Sequence, residues 1–205
     1  MLGPLPERDY DRTMNPEIER LLYQLDVVVA DVEGLAECAG ADFTRRPEPD
    51  RWSPAEAIEH LNLTARLALP KFQAAIEKAR AAGRLHPGPY AYGVVERWFL
   101  GRMEPPVRGL RFKAPREMQP GAELDAGRVA ADFADLHGRL RELLKAANGL
   151  DLARVKVESA FSRWIRYSLG IGFWLLLAHD RRHVWQARQA LRQIQNSAGA
   201  QGAAA

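Results

Sequence analysis

The sequence is short of the residues that would staple it covalently or carry it through a bilayer. Cys38 is the only cysteine among 205 residues, which excludes an intrachain disulfide and fits a reducing cytoplasm. It falls near the end of a predicted helix with no histidine beside it, so it reads as a buried, inert thiol and not as a nucleophile. The longest dense apolar run, 171–178, is far below the ~20 residues that cross a membrane. Residues 1–7 lack the basic start and apolar core of a signal peptide, and a cytoplasmic protein is expected. Charge of one sign is also lacking: 29 Lys and Arg against 26 Asp and Glu leave a formal +3, with the cations scattered. No basic run marks a nucleic-acid partner, and neither nucleic acid nor membrane is expected. There is no internal repeat.

What is present is helical periodicity. With 47% hydrophobic residues the chain can bury one sizeable core. Asn15 and Pro16 start a helix whose apolar positions Ile18, Leu21, Leu22, Leu25, Val28, Val29, Val32 and Leu35 recur three and four apart, and Gly40 ends it. Ser53-Pro54-Ala55-Glu56 is a capping box with proline at the first helical position, and its helix should run to about Ala82. A Gly- and Pro-rich segment over 83–124 follows, with a short helix expected near 92–103 facing Val95, Trp98, Phe99 and Met103 inward. A third long helix is predicted over 125–147 and a fourth over 168–194. Together these predict an all-α four-helix bundle with a long crossover between its second and third helices. The bundle should occupy 15–195, after an N-terminal arm over 1–14 and before a disordered tail over 196–205.

Histidines lie on the stripes that should point inward. His179 and His183, four apart, stand one above the other on the face continued by Leu176, Ala187, Ala190 and Ile194. His60 joins the buried stripe of the second helix. Burying imidazoles without partners costs about 1–3 kcal/mol per unsatisfied group, so something should compensate. Two readings are open: a divalent metal held by His60, His179 and His183, or a hydrogen-bonded histidine cluster. Neutral imidazoles suit zinc, nickel, iron or copper, and three ligands leave a position for water or substrate. The run His179-Asp180-Arg181-Arg182-His183 lacks the Glu of a zinc-protease helix, and Asp180 reads as a surface residue. His86 and His137 also read as surface residues. Glu56, one turn before His60, could orient that imidazole, although capping already explains it. Gln186 could hydrogen-bond a ligand or water. Arg163, Arg166, Arg181 and Arg182 could hold an anion, and Trp52 could staple the second helix or wall the site.

The stretches Arg51-Trp52-Ser53-Pro54-Ala55-Glu56-Ala57-Ile58-Glu59-His60-Leu61 and His179-Asp180-Arg181-Arg182-His183-Val184-Trp185-Gln186 resemble the DinB/YfiT-like family of metal-dependent proteins. Lys113-Ala114-Pro115 and Gln119-Pro120 look like that family's crossover. The resemblance runs from about Asn15 to Ile194 and departs at Ala160-Phe161, where many members carry a proline; that bears on the pocket wall. It implies an up-down-down-up bundle and a divalent metal, zinc or nickel, on His60, His179 and His183. It also implies a small-molecule substrate, which in relatives such as bacillithiol transferases and mycothiol-dependent maleylpyruvate isomerase involves a low-molecular-weight thiol. A homodimer is implied as well. The functional expectation is a thiol S-transferase or hydrolase; the alternative is a non-catalytic stress-response or interaction protein that the metal only stabilises.

Overall fold

A computed structural model describes residues 14–106, 114–121, 123–162 and 164–202. Most of the expected 1–14 arm and residues 203–205 lie outside the described residues. Five α-helices dominate the described part: α1 (Pro16–Ala39), α2 (Pro54–Ala81), α3 (Val94–Met103), α4 (Ala126–Ala146) and α5 (Leu169–Gly202). Strands β1 (Lys156–Glu158) and β2 (Arg166–Ser168) pair antiparallel just before α5, with Val157 opposite Tyr167. Short 3-10 turns follow α1 (Gly40–Phe43) and precede α4 (Arg116–Met118).

The starts of the first two helices follow from the sequence. Asn15 accepts from Glu17 N at 2.8 Å. Ser53 Oγ accepts from Glu56 N at 3.1 Å while Glu56 Oε2 accepts from Ser53 N at 2.8 Å. These bonds satisfy amides that the first helical turn leaves unpaired.

Contacts between helices fix their directions. Along α2 and α4 the pairs Asn62–Val129, Arg66–Asp132 and Arg80–Ala146 ascend together, so these helices are parallel. Along α1 and α5 the pairs Glu17–Trp174, Gln24–Arg181 and Asp31–Arg188 ascend together as well. Between α2 and α5 the order reverses, from Trp52–His183 to Phe72–Phe173. The bundle is therefore up-down-down-up, with α1 packed on α4 and α5, and α2 packed on the same two helices. Helices α4 and α5 are diagonal to each other.

The core falls into two clusters. One gathers Leu21, Leu25, Leu69, Phe72, Leu140, Phe173 and Leu177. The other gathers Val28, Val32, Phe43, Ile58, Leu61, Phe133 and Val184. Between them, on α2, α4 and α5, lie His60, His137, His179 and Asp180, all buried. A polar layer thus divides the apolar interior.

Several expectations are corrected. Helix α3 does not turn three of its four expected residues inward: Val95, Trp98 and Phe99 are exposed, and only Met103 of that set is half-buried. Its inward anchors are acidic instead. Glu96 Oε1 accepts from Ser168 N at 2.9 Å and Oγ at 3.0 Å, and Glu104 Oε2 accepts from Arg181 Nε at 3.0 Å. The segment expected as a disordered tail continues α5 to Gly202. Cys38 is exposed, because Leu35 and Ala39 take the inward positions of that turn.

Candidate metal centre

Helix α2 brings His60, and α5 brings His179 and His183, to one point between the helices. One ligand-capable atom from each of the three lies within 4.8 Å of the others. His60 Nε2 and His179 Nε2 are 3.3 Å apart. Ring centroids are 4.5 Å apart for both His60–His183 and His179–His183. His60 and His179 are buried and His183 is half-buried.

His60 is oriented from outside the bundle helices. Its Nδ1 lies 2.7 Å from the carbonyl oxygen of Met118, in the 3-10 turn of the crossover. A carbonyl only accepts, so Nδ1 carries the hydrogen and Nε2 of the neutral ring is left with its lone pair towards the site. Met118 itself is buried. The crossover reaches under the site, and this contact had no signal in the sequence.

Burial keeps the imidazoles neutral. It pushes His179 down to about 3, with the neighbouring His60 and Arg182 adding to the effect. It pushes His183 well below the usual value, again with His179, His60 and Arg182 contributing. His60 is lowered by burial too, partly opposed by its bond to Met118 and by the charge of Asp180. Neutral rings with free lone pairs are what a metal requires. The spacing fits as well: a tetrahedral ion with bonds of about 2.0–2.1 Å to nitrogen sets its ligands about 3.3 Å apart. Among the described residues the buried Nδ1 atoms of His179 and His183 have no hydrogen-bond partner, so the cluster is not a self-satisfied histidine network there.

Aromatic rings flank the three imidazoles. Trp52 stands 5.1 Å from His60 and 6.2 Å from His183, so it walls the site. Phe161, in the turn between β1 and β2, meets His179 edge-on at 5.5 Å and is itself 47% exposed. It occupies the place where a proline was the expectation.

Of the two roles open to Glu56, the structure shows the capping one. Its carboxylate caps α2 and binds the Arg46 guanidinium, with Arg46 Nε donating to Oε2 at 2.8 Å. The free nitrogen of His60 goes to Met118 instead. Gln186 is half-buried one turn beyond His183, and its amide bonds to no described residue. Of the arginines, Arg181 is engaged by Glu104 and Gln24, Arg166 is exposed, and Arg163 lies outside the described residues. Arg182 is half-buried and pairs with no carboxylate among the described residues.

A family model of the DinB superfamily matches residues 24–187. The chain belongs to the DinB superfamily. Searches of curated proteins and of solved structures return no match. All three clustered histidines lie inside the matched span, and membership in the DinB superfamily is compatible with a metal-dependent enzyme.

Two residues read as exposed are instead buried behind this DinB-superfamily site. His137 and Asp180 are 1% and 0% exposed, with His137 Nε2 lying 3.0 Å from Asp180 Oδ2. A signal was available: His137 is four residues after Phe133 and three before Leu140, on the buried stripe of α4.

Proposed function

We propose that this protein is a metal-dependent enzyme in which His60, His179 and His183 hold a divalent ion, zinc or nickel, and that it acts on a small molecule as a thiol S-transferase or hydrolase. The observation that carries this reading is the convergence of three neutral ring nitrogens at a spacing that suits a tetrahedral ion. When bound, such an ion supplies a Lewis acid that shifts the acidity of a thiol or water towards neutrality.

The chain's own residues supply the rest. Met118 holds His60 in the tautomer that frees Nε2. The burial that depresses all three imidazoles keeps protons from competing for their lone pairs. Trp52 and Phe161 offer apolar walls for an organic substrate. Arg182, half-buried and free of any described carboxylate, supports an anionic group on that substrate, because a guanidinium removed from water favours an anionic partner.

A second reading, a non-catalytic protein stabilised by its metal, is favoured by the burial of His60 and His179. An ion bound only to the native state stabilises through mass action alone. Elemental analysis of tag-free protein after incubation with zinc or nickel tests the shared premise, and absence of stoichiometric metal overturns both. Chelation separates them. The enzyme reading expects thiol- or water-dependent turnover of electrophilic or ester substrates that chelator abolishes. The second expects a large fall in melting temperature and no turnover on the same substrates.

A further inference from the structure

We propose that the buried His137–Asp180 pair is a brace that positions His179 and His183, so that α4, which supplies none of the three clustered histidines, controls the quality of the metal site. The proposal rests on the three-histidine reading above.

The pair crosses the bundle diagonal. His137 is on α4 and Asp180 on α5, and both lie in the polar layer between the two core clusters. The His137 ring is fixed on three sides: Nδ1 is 2.9 Å from Phe133 O, Nε2 is 3.0 Å from Asp180 Oδ2, and its face stacks on Phe133 at 3.7 Å. A ring held so firmly is a rigid post.

Asp180 follows His179 directly and precedes His183 by three residues, about 100° around the helix from the first. Fixing Asp180 against that post fixes the rotation of α5 about its axis. Rotation of α5 is what would swing His179 and His183 away from His60, since the two project together from that helix. Within the histidine cluster little holds His179 and His183 against such a rotation: their Nδ1 atoms have no hydrogen-bond partner among the described residues, and their rings meet the rings of His60, Trp52 and Phe161. An apolar pair at 137 and 180 would fill the same space without setting a direction, whereas buried polar pairs specify register.

The test is zinc titration of tag-free protein, with thermal melting followed by circular dichroism. The variants are His137→Leu combined with Asp180→Leu, and Asp180→Asn alone. The double variant leaves no unpaired buried charge and should melt close to the unaltered protein. It should nevertheless bind zinc about 10- to 100-fold more weakly, the loss typical when a group supporting a metal ligand is removed. Asp180→Asn can turn its amide N–H towards His137 Nε2, whose ring donates from Nδ1 to Phe133 O, and should recover most of the affinity. A folded double variant that binds zinc as the unaltered protein does overturns the brace. So does an Asp180→Asn protein as weak as the double variant, since charge and not position would then be what matters. His137→Met combined with Asp180→Ala, which likewise leaves no unpaired buried charge, replaces the double variant should that one not fold, with the same criteria.

A second readout needs no metal. In the metal-free protein the imidazole nitrogen resonances of His179 and His183 should shift or broaden in the double variant, and unchanged signals overturn the brace. If the unaltered protein binds no zinc, the function proposed above fails on its own and this spectrum still decides the brace.

Discussion

The carbonyl oxygen of Met118 lies 2.7 Å from Nδ1 of His60, so a turn of the crossover sets the tautomer of a ring on α2. Replacing His60 with Ala removes both this bond and one of three clustered nitrogens. His60→Ala should therefore weaken zinc binding by more than the roughly 10- to 100-fold that loss of a supporting group costs. Calorimetric titration checks this. Retained affinity would place the ion elsewhere.

Acid should weaken the metal-free fold. His179 is pushed down to about 3 by burial, and His60 and His183 are lowered for the same first reason. In the unfolded chain each imidazole titrates near 6.5. Between the folded and unfolded values the unfolded chain binds more protons, so stability rises with pH and is lost as pH falls below about 6.5. Each ring acting alone contributes up to about 1.4 kcal/mol per pH unit in that window. Urea midpoints of metal-free protein should be lower at pH 5 than at pH 7. Equal midpoints would mean that the rings are not held neutral by burial.

Glu56 offers a control on the site. Its carboxylate serves Ser53 N and Arg46, not His60. Ser53→Ala should cost about 0.5–2 kcal/mol through the lost cap. Zinc affinity at pH 7 should stay within twofold of the unaltered protein, by the same calorimetry. A loss of tenfold or more would tie the cap to the metal site.

Gly170 shows how the crossover is seated. A Cβ there would stand 2.7 Å from Tyr92 Cζ, too close for any side chain. Tyr92 hydroxyl donates to Glu17 Oε1, which also accepts from Trp174 Nε1 at 3.0 Å. Gly170→Ala should expel Tyr92 and cost about 1–3 kcal/mol in urea unfolding. In a Tyr92→Ala background the same change should cost little, since the clash is gone. Additive losses would point to a different cause.

The bundle was legible because its signals are local or periodic. Caps at Asn15 and Ser53 and the stripes through Leu21, Leu61 and Phe133 depend only on near neighbours, and the three histidines stood on those stripes. Contacts that depend on tertiary packing were not legible. Met118 reaches His60 across 58 residues and His137 reaches Asp180 across 43. Charge in isolation predicts solvent for Asp180, and its partner on the diagonal helix is what makes burial affordable. Helix α3 failed differently: its anchors Glu96 and Glu104 are charged, so its apolar pattern pointed to the wrong face.

Phe161 covers His179 from a turn that is otherwise largely exposed. Its ring meets the imidazole at 5.5 Å, and the principal cause holding His179 near 3 is exclusion of water. Phe161→Ala admits water on that side and relieves part of the desolvation, so the His179 value should rise towards 6.5. Proton competition for the ring would then begin at higher pH, and zinc affinity at pH 5 should fall more in this variant than affinity at pH 7. Histidine resonances followed through a pH titration measure the first effect, and zinc titrations at the two pH values measure the second. A His179 signal that titrates as before would show that Phe161 does not exclude water from the site.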